Sequence, residues 1–161
     1  MTRISRPSSN VVKIRLAIPE DVPQLIELDR ASGTAAHWSA EQYRDLFQSD
    51  SATPRLLLLA EELDENVVGF LVAQHVRSEW ELENIVVSAP ERRKGIGNAL
   101  LQALLEAVRQ ACGEAVLLEV RESNECARCF YSKAGFQQSG RRKAYYSNPL
   151  EDAVLYRLSL R

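Results

Sequence analysis

Between residues 55 and 112 the hydrophobic period of this chain changes once, and that change limits the folds open to it. Three runs come first, "RLLLLAEEL", "VVGFLVAQHV" and "EWELENIVVS", each short enough for a strand. The "DEN" between the first two is turn chemistry, so residues 55–76 read as an antiparallel hairpin that the third run extends. Past "SAPERRKGIG" the apolar residues recur at helical spacing instead. Ile96, Leu100, Leu104 and Val108, with Leu101 and Leu105 beside them, predict one long helix over residues 95–112 that packs a broad face on a sheet. Meander strands followed by strand-helix-strand units argue a mixed α/β domain built on one central sheet with helices on both faces.

The remaining segments complete that pattern. "VVKIRLA" predicts a first strand over residues 11–17. In "PEDVPQLIELDRAS", Pro19 stands near a helix start and Val22, Leu25, Ile26 and Asp29 fall on one face. Ser39 followed by Gln42 in "HWSAEQYRDLF" has the spacing of a capping box and predicts a short second helix, after which "SDSATP" marks a loop. Beyond the long helix come the apolar strand "AVLLEV", a helix opened by "ESNE", and two closing strands, "FQQSGRRKAYY" and "DAVLYRLSL". The order is strand, two helices, three strands, helix, strand, helix, two strands, a sheet of about seven. At 161 residues this is one domain, residues 11–161, behind a flexible polar tail of residues 1–10.

Composition removes several function classes. No run approaches the roughly 18 apolar residues of a membrane span, and "MTRISRPSSN" lacks the apolar segment of a signal peptide, so a cytoplasmic protein with no membrane partner is expected. A net charge of -2 supplies no general attraction to nucleic acid, and no direct nucleic-acid partner is expected; a monomer or weak dimer is. Cys126 and Cys129 form a C-x-x-C, but with Cys112, His37 and His75 as the other candidates a four-ligand zinc site is poorly supplied. The sequence reading assigns no metal and takes the cysteines as small buried helix residues.

The chemistry concentrates at "ERRKGIGNALL". Three cations, Arg92, Arg93 and Lys94, precede a helix whose first-turn amides have no intrahelical partners, and Gly95 and Gly97 let a ligand approach that backbone. A diphosphate suits such a site; the plain alternative is a tight strand-helix turn with solvated charges. The phosphate loop of nucleotide hydrolases needs a Lys-Ser or Lys-Thr that does not follow here, and "GIGNAL" puts bulky Leu100 at the third small position of a dinucleotide fingerprint. In "AVLLEVR", Ala115, Leu117, Glu119 and Arg121 share one face, so a carboxylate interrupts an apolar strand. Such an acid is costly unless solvated or paired, and a structural salt bridge is the plain explanation.

"RRKGIG" fits the R/Q-x-x-G-x-G/A signature of the Gcn5-related N-acetyltransferases. With "ELENIVVSAPERRKGIGNALL", "LLEVRESNECARCFYSKAGF" and "RRKAYY…EDAVLY" in that order, the chain resembles members of that family that acetylate the N-terminal alanine of a small-subunit ribosomal protein. The resemblance implies a mostly antiparallel sheet and acetyl-coenzyme A as co-substrate. It implies that main-chain groups of Ile85, Val86 and Val87 pair with the pantetheine arm, and that Arg93, Lys94, Gly95, Ile96, Gly97 and Asn98 hold the diphosphate. Asn124 matches a further coenzyme contact, with simple helix capping as the alternative. Glu119 matches the general base and Tyr131 the general acid, while Tyr145 and Tyr146 match the paired tyrosines of the acceptor side; the segment around Trp38 should line that side too, although it differs from the shorter loop of such relatives. Where the family usually has Asp-Pro after the strand, this chain has Ser88, Ala89 and Pro90, a departure that touches the local turn. The expected reaction is acetyl transfer to a protein N-terminus. Transfer to a lysine or small amine, a coenzyme A-binding module without turnover, and a nucleotide-binding module stand as alternatives.

Overall fold

The computed structural model describes residues 11–33, 36–48 and 53–161, so the tail of residues 1–10 and part of the "SDSATP" loop lie outside the described residues. Seven strands form one sheet: β1 (Lys13–Leu16), β2 (Arg55–Glu61), β3 (Val67–Val76), β4 (Glu79–Val87), β5 (Ala115–Arg121), β6 (Gln137–Ser147) and β7 (Leu150–Ser159). Their spatial order is β1-β2-β3-β4-β5-β7-β6. Every pairing is antiparallel except β4 with β5. Four α-helices, α1 (Val22–Ala31), α2 (Ala40–Asp45), α3 (Ile96–Gln110) and α4 (Glu125–Lys133), follow the order predicted from the sequence.

Local chemistry accounts for the element ends. Ser39 Oγ accepts the Gln42 amide at 3.2 Å while Gln42 Oε1 accepts the Ser39 amide at 2.8 Å, closing the capping box of α2. Ahead of α1, Arg15 grips both carboxylate oxygens of Asp21 at 2.8 Å and also reaches Glu61, which ties β1, β2 and the helix entry together. That pairing holds the buried Asp21 carboxyl below the usual carboxylate range, with the Ile18 amide bond adding to it and burial opposing it.

Two apolar cores sandwich the sheet. Ile96, Leu100, Leu101, Leu104, Leu105 and Val108 of α3 are buried with Leu82, Leu118 and Val120 of the sheet and with Tyr131 and Phe136. Each such leucine is worth about 1.5–3 kcal/mol relative to exposure, so α3 is a principal anchor of the fold. On the opposite face, Val22 and Leu25 of α1 and Tyr43 of α2 pack on Leu57, Leu59, Phe70, Val72 and Val86.

One irregularity positions the site. The parallel ladder runs only from Glu79–Ala115 to Leu82–Leu118. Opposite β3, Leu82 meets Ala73 and Asn84 meets Val72, which leaves Glu83 as an extra, bulged residue. A bulge bends its strand and raises its twist, and the two strands part there. Residues 84–87 continue against β3 alone, while Glu119, Val120 and Arg121 continue against β7 alone.

Candidate active site

One wall of the split is the strand-helix turn. After β4 the chain makes a 3-10 turn, Ala89–Glu91, with Pro90 inside it; this is the local form taken where Ser88 and Ala89 replace the usual Asp-Pro. Arg93 and Gly95 then adopt left-handed backbone, φ 62° and 86°, and Gly95 serves as N-cap of α3 without any side-chain cap. The first-turn amides of a fifteen-residue helix are thus left to an external acceptor, with the helix dipole behind them. The three cations divide their work. Arg92 Nε donates to the Val87 carbonyl at 3.1 Å and Lys94 pairs with Glu91 at 3.0 Å, whereas Arg93 has no partner among the described residues.

The two glycines differ. Gly95 is required by its positive φ, since open space surrounds it. Gly97 lies in ordinary helix, where a methyl would meet Phe130 at 3.7 Å and Val87 at 3.8 Å, normal contact distances. Nothing in the protein demands glycine there, and even in the first turn of a helix it is disfavoured against alanine, by less than the roughly 1 kcal/mol of a helix interior. Its place is the gap between the end of β4 and α4, where a ligand entering the split would pass. Ile85 and Val87 line the α3 side of β4 and Val86 is buried on the other. Asn98 sits in the first turn of α3.

The other wall carries the carboxylate. Leu118 and Val120 pack against α3, so Glu119 points to the opposite face. The salt bridge that sequence reasoning left open exists: Arg142 Nε lies 2.9 Å from Glu119 Oε1, with the arginine about half exposed. The pair supplies the structural role that the sequence left open for Glu119, and with the arginine half exposed it leaves the carboxylate within reach of solvent. The Glu119 carboxylate near it holds the Tyr145 phenol above its ordinary value. These two residues reach Glu119 because β6 is bulged: Arg142 pairs with Ala153 and Tyr146 with Glu151, leaving residues 143–145 opposite Asp152. Ala144 takes φ 50° and its amide donates to Asp152 Oδ1 at 2.9 Å, pinning the bulge. Tyr146 meets Tyr145 edge-on at 5.1 Å and lies under the Arg121 guanidinium at 4.2 Å.

Sequence reasoning passed over Glu81. It shares this face, and burial with the nearby Glu119 and Glu83 carboxylates raises its pKa, against Arg142. The available signal was the alternation of Glu79, Glu81 and Glu83 in "EWELENIVV", which reads equally well as a solvated strand face.

Tyr131 is buried on the α3 side, ringed by Phe130 at 5.2 Å and Phe136 at 5.6 Å, and burial pushes its phenol pKa up. Tyr131 and Glu119 therefore lie on opposite faces of the sheet, flanking the split. Phe130 is only partly buried and faces Gly97. Asn124 caps α4, its Oδ1 accepting the Ala127 amide at 3.2 Å. Trp38 is partly buried against the cluster that α1 and α2 form on the sheet, 5.6 Å from Tyr43. The cysteine expectation is corrected: Cys126 and Cys129 occupy the solvent face of α4 and Cys112 is exposed too, because Ala127, Phe130, Tyr131 and Ala134 take the inward positions. No group of three or more metal-binding side chains occurs among the described residues, and no helix among them is long and apolar enough to cross a membrane.

Known proteins share this architecture. The acetyltransferase (GNAT) family matches residues 22–136. The [ribosomal protein bS18]-alanine N-acetyltransferase of Salmonella typhimurium is 31% identical over 133 residues, covering 78% of this chain and 90% of that protein. Its counterpart in Haemophilus ducreyi is 29% identical over 150 residues, covering 91% and 99%. The crystal structure of the ribosomal-protein-S18-alanine N-acetyltransferase from Escherichia coli superposes with a TM-score of 0.81 at 25% identity, covering 93% of this chain and 94% of the other. Fold, helix-start signature and relatives agree, and the chain belongs to the acetyltransferase (GNAT) family.

Proposed function

We propose that this protein is a cytoplasmic enzyme that transfers the acetyl group of acetyl-coenzyme A to the α-amine of a protein N-terminus, directly and without a covalent enzyme intermediate. The carrying observation is the parting of β4 and β5 beside an uncapped helix start, with Glu119 at one wall. The named activity of the bS18-alanine acetyltransferases supports an N-terminal alanine, and a small-subunit ribosomal protein, as acceptor.

The residues present suit the co-substrate. Amides of Ile96, Gly97 and Asn98, the left-handed Gly95 and the nearby Arg93 and Lys94 match a diphosphate. Residues 85–87 present strand backbone with no β5 partner, which an extended amide-bearing arm can pair with. Asn124 retains its amide nitrogen for a further contact. Bound there, acetyl-coenzyme A supplies an activated thioester.

An α-ammonium has a pKa near 7.7–8.0, so roughly one in ten is neutral at pH 7 and able to attack. Glu119 takes the proton released as it does so, through a water. Glu81, beside it, adds negative charge that favours an approaching ammonium. Tyr131 is protonated at neutral pH, burial raising its phenol, and it gives that proton to the sulfur of the departing thiolate as general acid, to be reprotonated from solvent afterwards. Trp38, Tyr145 and Tyr146 form the acceptor wall.

The test is turnover on peptides beginning with alanine, beside their N-blocked versions, with mass mapping of the acetylated atom. Acetylation confined to the free α-amine is expected. Equal rates on blocked peptides, or acetyl found on lysine, would remove the α-amine as acceptor.

A further inference from the structure

The helix that carries Tyr131 is lightly held by apolar packing. Of the nine residues of α4 only Tyr131 is fully buried, against six in α3. A helix this short is unstable by itself in water, so its place depends on tertiary ties. Polar bonds supply two of them. Asn124 caps the first turn, and Arg128 reaches out from the second.

Arg128 stands one turn before Tyr131, and residues three apart on a helix are neighbours. Its partly buried guanidinium is held in two directions. Nε donates to Tyr156 Oη of β7 at 3.2 Å, and Nη1 donates at 3.0 Å to the carbonyl of Glu122, in the loop between β5 and α4. The Glu122 amide in turn donates to the Asp152 carbonyl of β7 at 3.1 Å. Tyr156 is buried in the same core as Tyr131 and pairs with Leu118 of β5. One side chain thus joins α4 to β7 and to the loop that opens three residues past Glu119.

Charge pairing does not account for this residue. Arg15, Arg55, Arg142 and Arg157 each pair with a carboxylate, whereas Arg128 pairs with none among the described residues, and both its partners are neutral. Burial is the one cause of the raised Tyr131 phenol, so the Arg128 charge is not what acts on it. What the guanidinium brings is a planar fork of donors, which an ammonium cannot match.

We propose that Arg128 is a positioning residue for Tyr131: its fork on Tyr156 and the Glu122 carbonyl fixes α4 against the sheet and so sets the aim of the phenol at the departing sulfur. The proposal rests on the reading of Tyr131 as general acid.

The test compares Arg128→Met and Arg128→Lys with the parent chain, alone and in a Tyr131→Phe background. Methionine keeps an unbranched stem and loses both bonds; lysine keeps the charge and loses the fork. In each, kcat on an alanine peptide should fall about tenfold, with the acetyl-coenzyme A Kd and the peptide KM within about twofold of the parent. In the Tyr131→Phe background the same substitutions should cost less than about twofold, because the group they aim is gone. A tenfold loss that persists there, or parallel losses in Kd and KM, would reduce Arg128 to general structure and overturn the proposal. Parental kcat in Arg128→Lys would overturn it as well, by making charge sufficient. If Arg128→Met fails to fold, Tyr156→Phe removes one of the two bonds and keeps the ring; kcat should then fall about threefold with the same background dependence, and parental kcat would overturn the tie. Should the parent acetylate no peptide, or Tyr131→Phe keep parental kcat, the general-acid reading fails by itself, and amide hydrogen exchange reads the tie directly. Exchange about fivefold faster or more across residues 127–133 of Arg128→Met, with α3 unchanged, supports the anchor, and parental exchange in α4 overturns it.

Discussion

Gly97→Ala should move stability and binding in opposite directions. The residue lies in ordinary helical backbone, and the added methyl meets Phe130 at 3.7 Å and Val87 at 3.8 Å, so no strain opposes it. Alanine is favoured over glycine by about 1 kcal/mol in a helix interior and by less in the first turn, so in a domain of this size the unfolding midpoint should rise by about 1–2 °C. The methyl also narrows the gap between β4 and α4 next to the first-turn amides. Holding a diphosphate off those amides by even part of an ångström weakens charge-assisted hydrogen bonds, and a loss of about 1.4 kcal/mol is a tenfold weaker Kd. Thermal unfolding without ligand and calorimetric titration with acetyl-coenzyme A measure the two quantities separately. A stabilised variant that binds as tightly as the parent would refute the idea that Gly97 is kept small for a ligand. A lowered midpoint would refute the conformational reasoning. Gly95→Ala supplies the contrast: at φ 86° with open space around it, a side chain costs about 1–2 kcal/mol of backbone strain, and stability falls.

Four other substitutions test contacts described above. Asp21→Asn should destabilise by about 2 kcal/mol at neutral pH, because it breaks a buried bidentate pair with Arg15. The folded-state pKa of Asp21 is lowered, so its contribution is present above the ordinary value of 3.8 and is lost as pH falls through the lower folded value; the parent's acid unfolding limb should be steeper than the variant's in that window. Arg142→Gln should change the peptide KM by less than about fivefold, since a half-exposed ion pair is worth at most about 1 kcal/mol; a much larger effect would mean Arg142 itself holds the acceptor. Glu119→Gln should lower kcat by about a hundredfold or more and Tyr131→Phe should slow transfer, each with acetyl-coenzyme A affinity nearly unchanged; parental kcat in either variant removes its assigned role.

Much of this molecule is written in short-range pattern. The order of elements, the buried stripe of α3 from Ile96 to Val108 and the Ser39–Gln42 cap depend on residues within a turn or two of each other, so period and spacing alone determine them. The glycine-rich start of α3 was legible for the same reason, as a local conflict between cations, glycines and an apolar helix. What only the tertiary structure decided involves partners far apart in the chain. The split at Leu82 and Leu118 arises from a bulge at Glu83 and from two strands that keep different neighbours. Arg142 meets Glu119 because a second bulge, opposite Asp152, redirects β6. Asp29, one of the face positions of an amphipathic pattern, becomes the best buried acid of the described residues once α2 and β4 close over it, and the exposed Cys126 and Cys129 turn outward once the opposite side of α4 is taken. Periodicity assigns a residue to a side of its own element; which other elements cover that side is settled by non-local pairing, and burial, ion pairing and hydrogen bonding follow from it.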